Sequence, residues 1–194
     1  MRNLTVLVHP HFCVILALSL FILPVPFVFG WIVAAGIHEL CHFIMIRIMG
    51  LKVYSVSVGV TGAVIKTEPM SPAQELFCSL AGPVGGLIPI CFTRYLPYVA
   101  LSAAIQSCYN LLPVYPLDGG RALNSVITHF AGEAIGFRVS RFVSVIVIVL
   151  VTLGAGWLSC RYRLGLSLIV FPAILLISNV WKNSLQRREK NCRI

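Results

Sequence analysis

Six stretches of the chain, near residues 12–29, 30–49, 74–93, 95–112, 139–157 and 164–181, are apolar over close to the ~20 residues that a helix needs to cross a bilayer. Little else remains from which to build a water-facing surface. Charged residues make up 11% of the 194, against about 25% in a soluble domain. The expectation is an all-α polytopic membrane protein of about six transmembrane helices. Pro24 and Pro26 divide the first two spans, and Arg94 divides the third from the fourth. A single domain is expected over 1–181, followed by a short basic cytoplasmic tail, 182–194.

The net charge of +9 raises the question of nucleic acid. The basic residues are scattered between apolar runs and form no continuous polar face, so nucleic acid is rejected as a partner and the lipid bilayer takes its place. With the N-terminus inside, twelve of the fifteen Lys and Arg fall on the cytoplasmic side. Only Arg94, Arg161 and Arg163 fall outside. That bias places both termini in the cytoplasm. The basic, apolar N-terminus lacks a small-residue cleavage site and reads as a retained span. The seven cysteines include no C-x-x-C pair, which leaves no thiolate zinc site by spacing.

One segment breaks the helical pattern. In "LKVYSVSVGVTGAVIKTEP", residues 51–69, Tyr54, Val56, Val58 and Val60 alternate with small polar residues. A period of two with β-branched residues predicts a strand, and Thr61-Gly62 predicts a turn into a hairpin. The expected element is a membrane-associated β-hairpin between helices 2 and 3, with an edge of unpaired backbone groups. A second irregular segment, 114–137, opens on a Pro-rich turn and continues as a weakly amphipathic stretch.

The chemistry concentrates in "HELCH", residues 38–42. On a helix, His38 and His42 share a face one turn apart, so both imidazoles can reach one metal ion. Glu39 stands beside them, placed to take a proton from a metal-bound water. A pair of core histidines with a salt-bridged glutamate is the competing account. Ionisable groups inside a membrane segment are rare and usually functional, which favours the metal. Imidazole suits Zn²⁺, whose catalytic sites use three protein ligands and keep one position open. Among the remaining acids, Asp118 stands out in "NLLPVYPLDGGR", within a turn of two prolines and two glycines. Irregular backbone at membrane depth is tolerated where it is buried in protein or lines a wet cavity. Asp118 is thus a candidate oxygen ligand, and equally a candidate N-cap for a helix after Gly119.

"HELCH" and "NLLPVYPLDGGR", with "VHPHF", the hairpin and "LAGPVGG" in order between and around them, resemble the site-2 protease family of intramembrane zinc metalloproteases. Within that family the chain is most similar to the stage IV sporulation proteases, which process a pro-sigma factor. Those carry a nucleotide-sensing CBS domain after the last span, and none is read before Ile194. The resemblance implies one zinc per chain on His38, His42 and Asp118, with Glu39 as catalytic base. It implies that Asn110, Pro113 and Pro116 shape the substrate cleft, and that Tyr54, Val56 and Val58 on the hairpin meet substrate as an added strand. It implies a multi-pass protein of a bacterial cell membrane and a substrate with a membrane-associated segment, such as a pro-sigma or anti-sigma factor. A membrane regulatory protein is a further partner to expect. Gly82 and Gly86 match the family's third-span pattern and are assigned to packing. Cys41, at i+3 from His38, turns away from the histidine pair. The rival functions are a metal or solute permease and a catalytically silent scaffold.

Overall fold

The computed structural model describes residues 5–8, 10–59 and 62–162. The expected span at 164–181 and the tail at 182–194 lie outside the described residues. The chain divides into two compact units, Met1–Leu111 and Leu112–Ile194.

In the first unit, strand β1 (Thr5–Val8) leads into helices α1 (Pro10–Ile22) and α2 (Val25–Ile48). Pro24 ends the approach to α2, as the sequence implies. Pro26 does not break the helix, contrary to expectation. It sits in the first turn, where a missing N–H would have had no helical partner in any case. The first apolar run is therefore cut to 13 residues and the second extended to 24.

A buried stripe runs down α2 at every fourth position: Gly30, Ala34, His38, His42 and Ile46. A Cβ on Gly30 would come within 2.8 Å of the Tyr98 carbonyl group. Tyr98 belongs to α4 (Pro97–Asn110). The small residue lets the two backbones touch, which is how helices pack when lipid tails offer no hydrophobic drive to associate.

Helix α3 (Pro72–Gly85) starts with a capping box, in which Ser71 accepts from the Gln74 N–H and Gln74 accepts from the Ser71 N–H. Pro83 within α3 has no N–H to give the Ser79 carbonyl. A 3₁₀ turn, Ile88–Phe92, continues it.

The hairpin is present as strands β2 (Val53–Gly59) and β3 (Gly62–Thr67), antiparallel, with the register slipping between Val53 and Ser55. It is not alone. β1 pairs parallel to β2, Thr5 opposite Ser55 through Val8 opposite Val58, so the sheet order is β1-β2-β3. The expected free edge on β2 is occupied on both sides, and the all-helical expectation gains a small three-stranded sheet.

The second unit contains α5 (Asp118–Ala131) and α6 (Glu133–Tyr162). They turn at Gly132, whose φ of 84° suits glycine. A Cβ on Gly136 would overlap the Thr128 hydroxyl, so α6 begins hard against α5. Segment 114–137 is therefore largely helix, and His129 lies in the last turn of α5.

Among the described residues, three helical runs are long and apolar enough to cross a membrane: Val25–Ile48, Pro72–Phe92 and Glu133–Arg161. The count of six is not reached there. α1 and the 14-residue α4 are shorter than the ~20 residues a bilayer requires. Pro24 and Pro97 stand where hydropathy alone would continue a helix.

Candidate metal centre

His38 and His42 lie one turn apart on the buried stripe of α2, 6% and 7% exposed. Their Nε2 atoms are 3.1 Å apart, with the rings edge to face at 80°. The Nδ1–H of His42 donates to the Cys78 carbonyl of α3 at 2.7 Å. A carbonyl only accepts, so Nδ1 carries the proton and the neutral ring keeps a lone pair on Nε2. This is the backbone partner that fixes a ligating histidine's tautomer.

Two imidazole nitrogens at ~2.0–2.1 Å from one tetrahedral ion stand about 3.3 Å apart. The observed spacing and the forced tautomer both fit a shared divalent metal.

Helix α3 shapes this pocket by omission. A Cβ on Gly82 would overlap the His42 imidazole, and one on Gly85 would overlap Cys41 Sγ. Cys41 thus packs on α3, away from the histidine pair. A Cβ on Gly86 would stand 2.8 Å from Ser107 Oγ and 3.5 Å from His38 Nδ1. Glu39 is half-buried, one residue around the helix from the stripe.

Asn110 closes α4 and is half-buried. In the second unit, Pro113 and Pro116 are half-buried in the loop before α5, and Val114 between them is 1% exposed. The Tyr115 N–H donates to Ser144 Oγ at 2.8 Å, and that hydroxyl donates to the Ser140 carbonyl at 2.7 Å. A Cβ on Gly120 would overlap the Val114–Tyr115 backbone. The loop is therefore clamped on both sides.

Asp118 opens α5, 9% exposed, with Arg121 Nη1 at 4.0 Å from its Oδ1. The N-cap is Leu117, which has no side chain able to cap, and Asp118 is the first helical residue. The N-cap role left open by the sequence is excluded.

On the sheet, Tyr54 is exposed and Val56 half-buried, while Val58 contributes backbone pairing to both β1 and β3. Glu68 pairs with Lys52 at 3.5 Å, and Glu75 lies in the first turn of α3. Sequence reasoning missed the Cys78 carbonyl and Ser107. A backbone acceptor leaves no mark in the sequence, and a lone serine in an apolar helix gives a weak one.

Residues 79–154 match the model of peptidase family M50. That stretch holds Asn110, Pro113, Pro116 and Asp118 but stops short of the 38–42 motif. Rip3 of Mycobacterium tuberculosis, named as a zinc metalloprotease, is 28% identical over 161 residues, covering 66% of this chain and 41% of Rip3. The sll0528 protein of Synechocystis, named likewise, is 25% identical over 112 residues, covering 50% of this chain and 30% of that protein. The chain thus spans less than half the length of either relative. The solved site-2 protease from Methanocaldococcus jannaschii superposes with a TM-score of 0.66 at 18% identity, covering 93% of this chain and 91% of that one. That likeness is one of fold. The chain is thus similar to M50 peptidases over 79–154 and shares the fold of a solved site-2 protease, and three of its described helical runs are long and apolar enough to cross a membrane.

Proposed function

We propose that the chain is an intramembrane zinc metalloendopeptidase of the H-E-x-x-H type. The observation that carries this reading is the buried histidine pair, Nε2 atoms 3.1 Å apart, with the His42 tautomer set by the Cys78 carbonyl. The motif resemblance makes Asp118 the third ligand, so that two imidazole nitrogens and one carboxylate oxygen would hold one zinc per chain. Its support is the family match around it, its burial and the loss of its N-cap alternative.

Zinc supplies Lewis acidity and lowers the pKa of water towards 7. Glu39 takes the proton from the attacking water and passes it to the leaving amine. Asn110 hydrogen-bonds the substrate near the scissile carbonyl, and Pro113 and Pro116 hold the cleft wall. The substrate is a peptide or protein with a membrane-associated segment, bound extended because a helical carbonyl is hidden from attack.

Strand addition remains the mode of binding. With β2 paired on both sides it moves to the outer edge of β3, and Tyr54, Val56 and Val58 belong to the middle strand that backs it. A pro-sigma or anti-sigma factor as substrate, a sporulation context and a membrane regulatory partner rest on the motif resemblance alone, as does a bacterial cell membrane.

The test pairs proteolysis with zinc content. Glu39→Gln should abolish cleavage of a co-expressed membrane substrate and leave about one zinc per chain, while His42→Ala should lose both. Cleavage by Glu39→Gln would sink the mechanism. A permease using the same histidines predicts metal flux without cleavage in the wild type.

A further inference from the structure

Ser107 lies in the middle of the α2–α3–α4 packing, 1% exposed, and its hydroxyl makes no hydrogen bond to any described residue. A serine inside a helix usually returns its hydroxyl to the carbonyl one turn back, as Ser144 does to Ser140. Ser107 does not, so a buried polar atom is held at a cost without a visible return.

Its neighbour explains the position. Ser107 Oγ and His38 Nδ1 flank the same face of Gly86, and a Cβ there would stand 2.8 Å from one and 3.5 Å from the other. The Gly82 carbonyl oxygen stands 2.8 Å from the same point, and glycine adds no side chain there. His42 already has a backbone carbonyl on Nδ1 to fix its tautomer. His38 must also carry its proton on Nδ1 if Nε2 is to face a metal, and that proton needs an acceptor. A hydroxyl rotates freely and offers two lone pairs.

We propose that Ser107 is a positioning residue for His38, its Oγ accepting the Nδ1–H of that ring in the zinc-loaded protein. This rests on the metalloprotease reading above. The two histidines would then be set by unlike partners, a fixed carbonyl on α3 and a rotatable hydroxyl on α4.

The test measures zinc affinity of the full chain in detergent by chelator competition, with the absorption spectrum of the Co²⁺-substituted protein as second readout. Ser107→Ala should weaken zinc binding by about tenfold or more, the range for loss of such a partner, and shift the Co²⁺ bands. Ser107→Thr, which keeps the hydroxyl, should restore the wild-type spectrum. Ser107→Ala should melt within a few degrees of wild type in the absence of metal, which separates positioning from folding.

Wild-type zinc affinity and an unchanged Co²⁺ spectrum in Ser107→Ala would overturn the proposal while leaving the metalloprotease reading intact. If the wild type bound no zinc that His42→Ala abolished, both would fall. Equal loss of affinity in Ser107→Ala and Ser107→Thr would make Ser107 a packing residue and also overturn it.

Discussion

At the scale of single residues, the site depends on what is absent from α3 as much as on what α2 presents. Gly82 has no side chain where the His42 imidazole lies. Gly82→Ala should therefore displace that ring from the Cys78 carbonyl and cost tenfold or more in zinc affinity, read by chelator competition. Gly36→Ala is the matched control on α2. Its Cβ would meet nothing within 4 Å, and alanine favours a helix by about 1 kcal/mol over glycine, so zinc binding should be unchanged. Equal zinc affinity in Gly82→Ala and wild type would show that the ring is not held there.

The proposed donors were named from the sequence alone. His38 and His42 were named by their spacing on one helix face, and Asp118 by the motif resemblance, since its Pro/Gly turn left an N-cap equally open. The shell around them was not. The Cys78 acceptor is a main-chain atom, and the reason for glycine at 82 is a close approach that only the packed helices reveal.

At the scale of elements, alternation in 53–60 correctly foretold strand, because period two is a local property of the chain. The third strand escaped notice. "TVLV" is four residues long, too short to show a period, and its pairing to β2 spans about fifty positions of sequence. Helix lengths were misjudged for a related reason. Hydropathy reports an apolar environment and does not mark where a helix starts, whereas Pro24 and Pro97 do.

The sheet order decides where a substrate strand can add. A strand on the outer edge of β3 lies ~4.8 Å from β3 and roughly twice that from β2. A disulfide needs Cα atoms about 4.4–6.8 Å apart. Lys66 and Ser55 face each other across β3 and β2. In a Glu39→Gln background, a single-cysteine substrate should cross-link to Lys66→Cys and not to Ser55→Cys. The reverse would mean that β1 leaves β2 when substrate arrives.

At the scale of the whole molecule, the expected orientation rests on the chain's charge. Lys52, Lys66 and Arg47 cluster around the sheet, between the apolar helices Val25–Ile48 and Pro72–Phe92, while Arg94 alone follows the second of them. Moving basic side chains across a bilayer centre is costly, so the richer side is expected in the cytoplasm. On the proposed mechanism this orientation puts the sheet on the side from which water and a cytoplasmic substrate arrive. Alkaline phosphatase, active only outside the cytoplasm, reads the side directly. Fused after Glu68 it should be inactive, and fused after Tyr95 it should be active, with a cytoplasmic reporter giving the opposite pair. Activity at Glu68 would invert the molecule and require the substrate to reach the β3 edge from outside the cell.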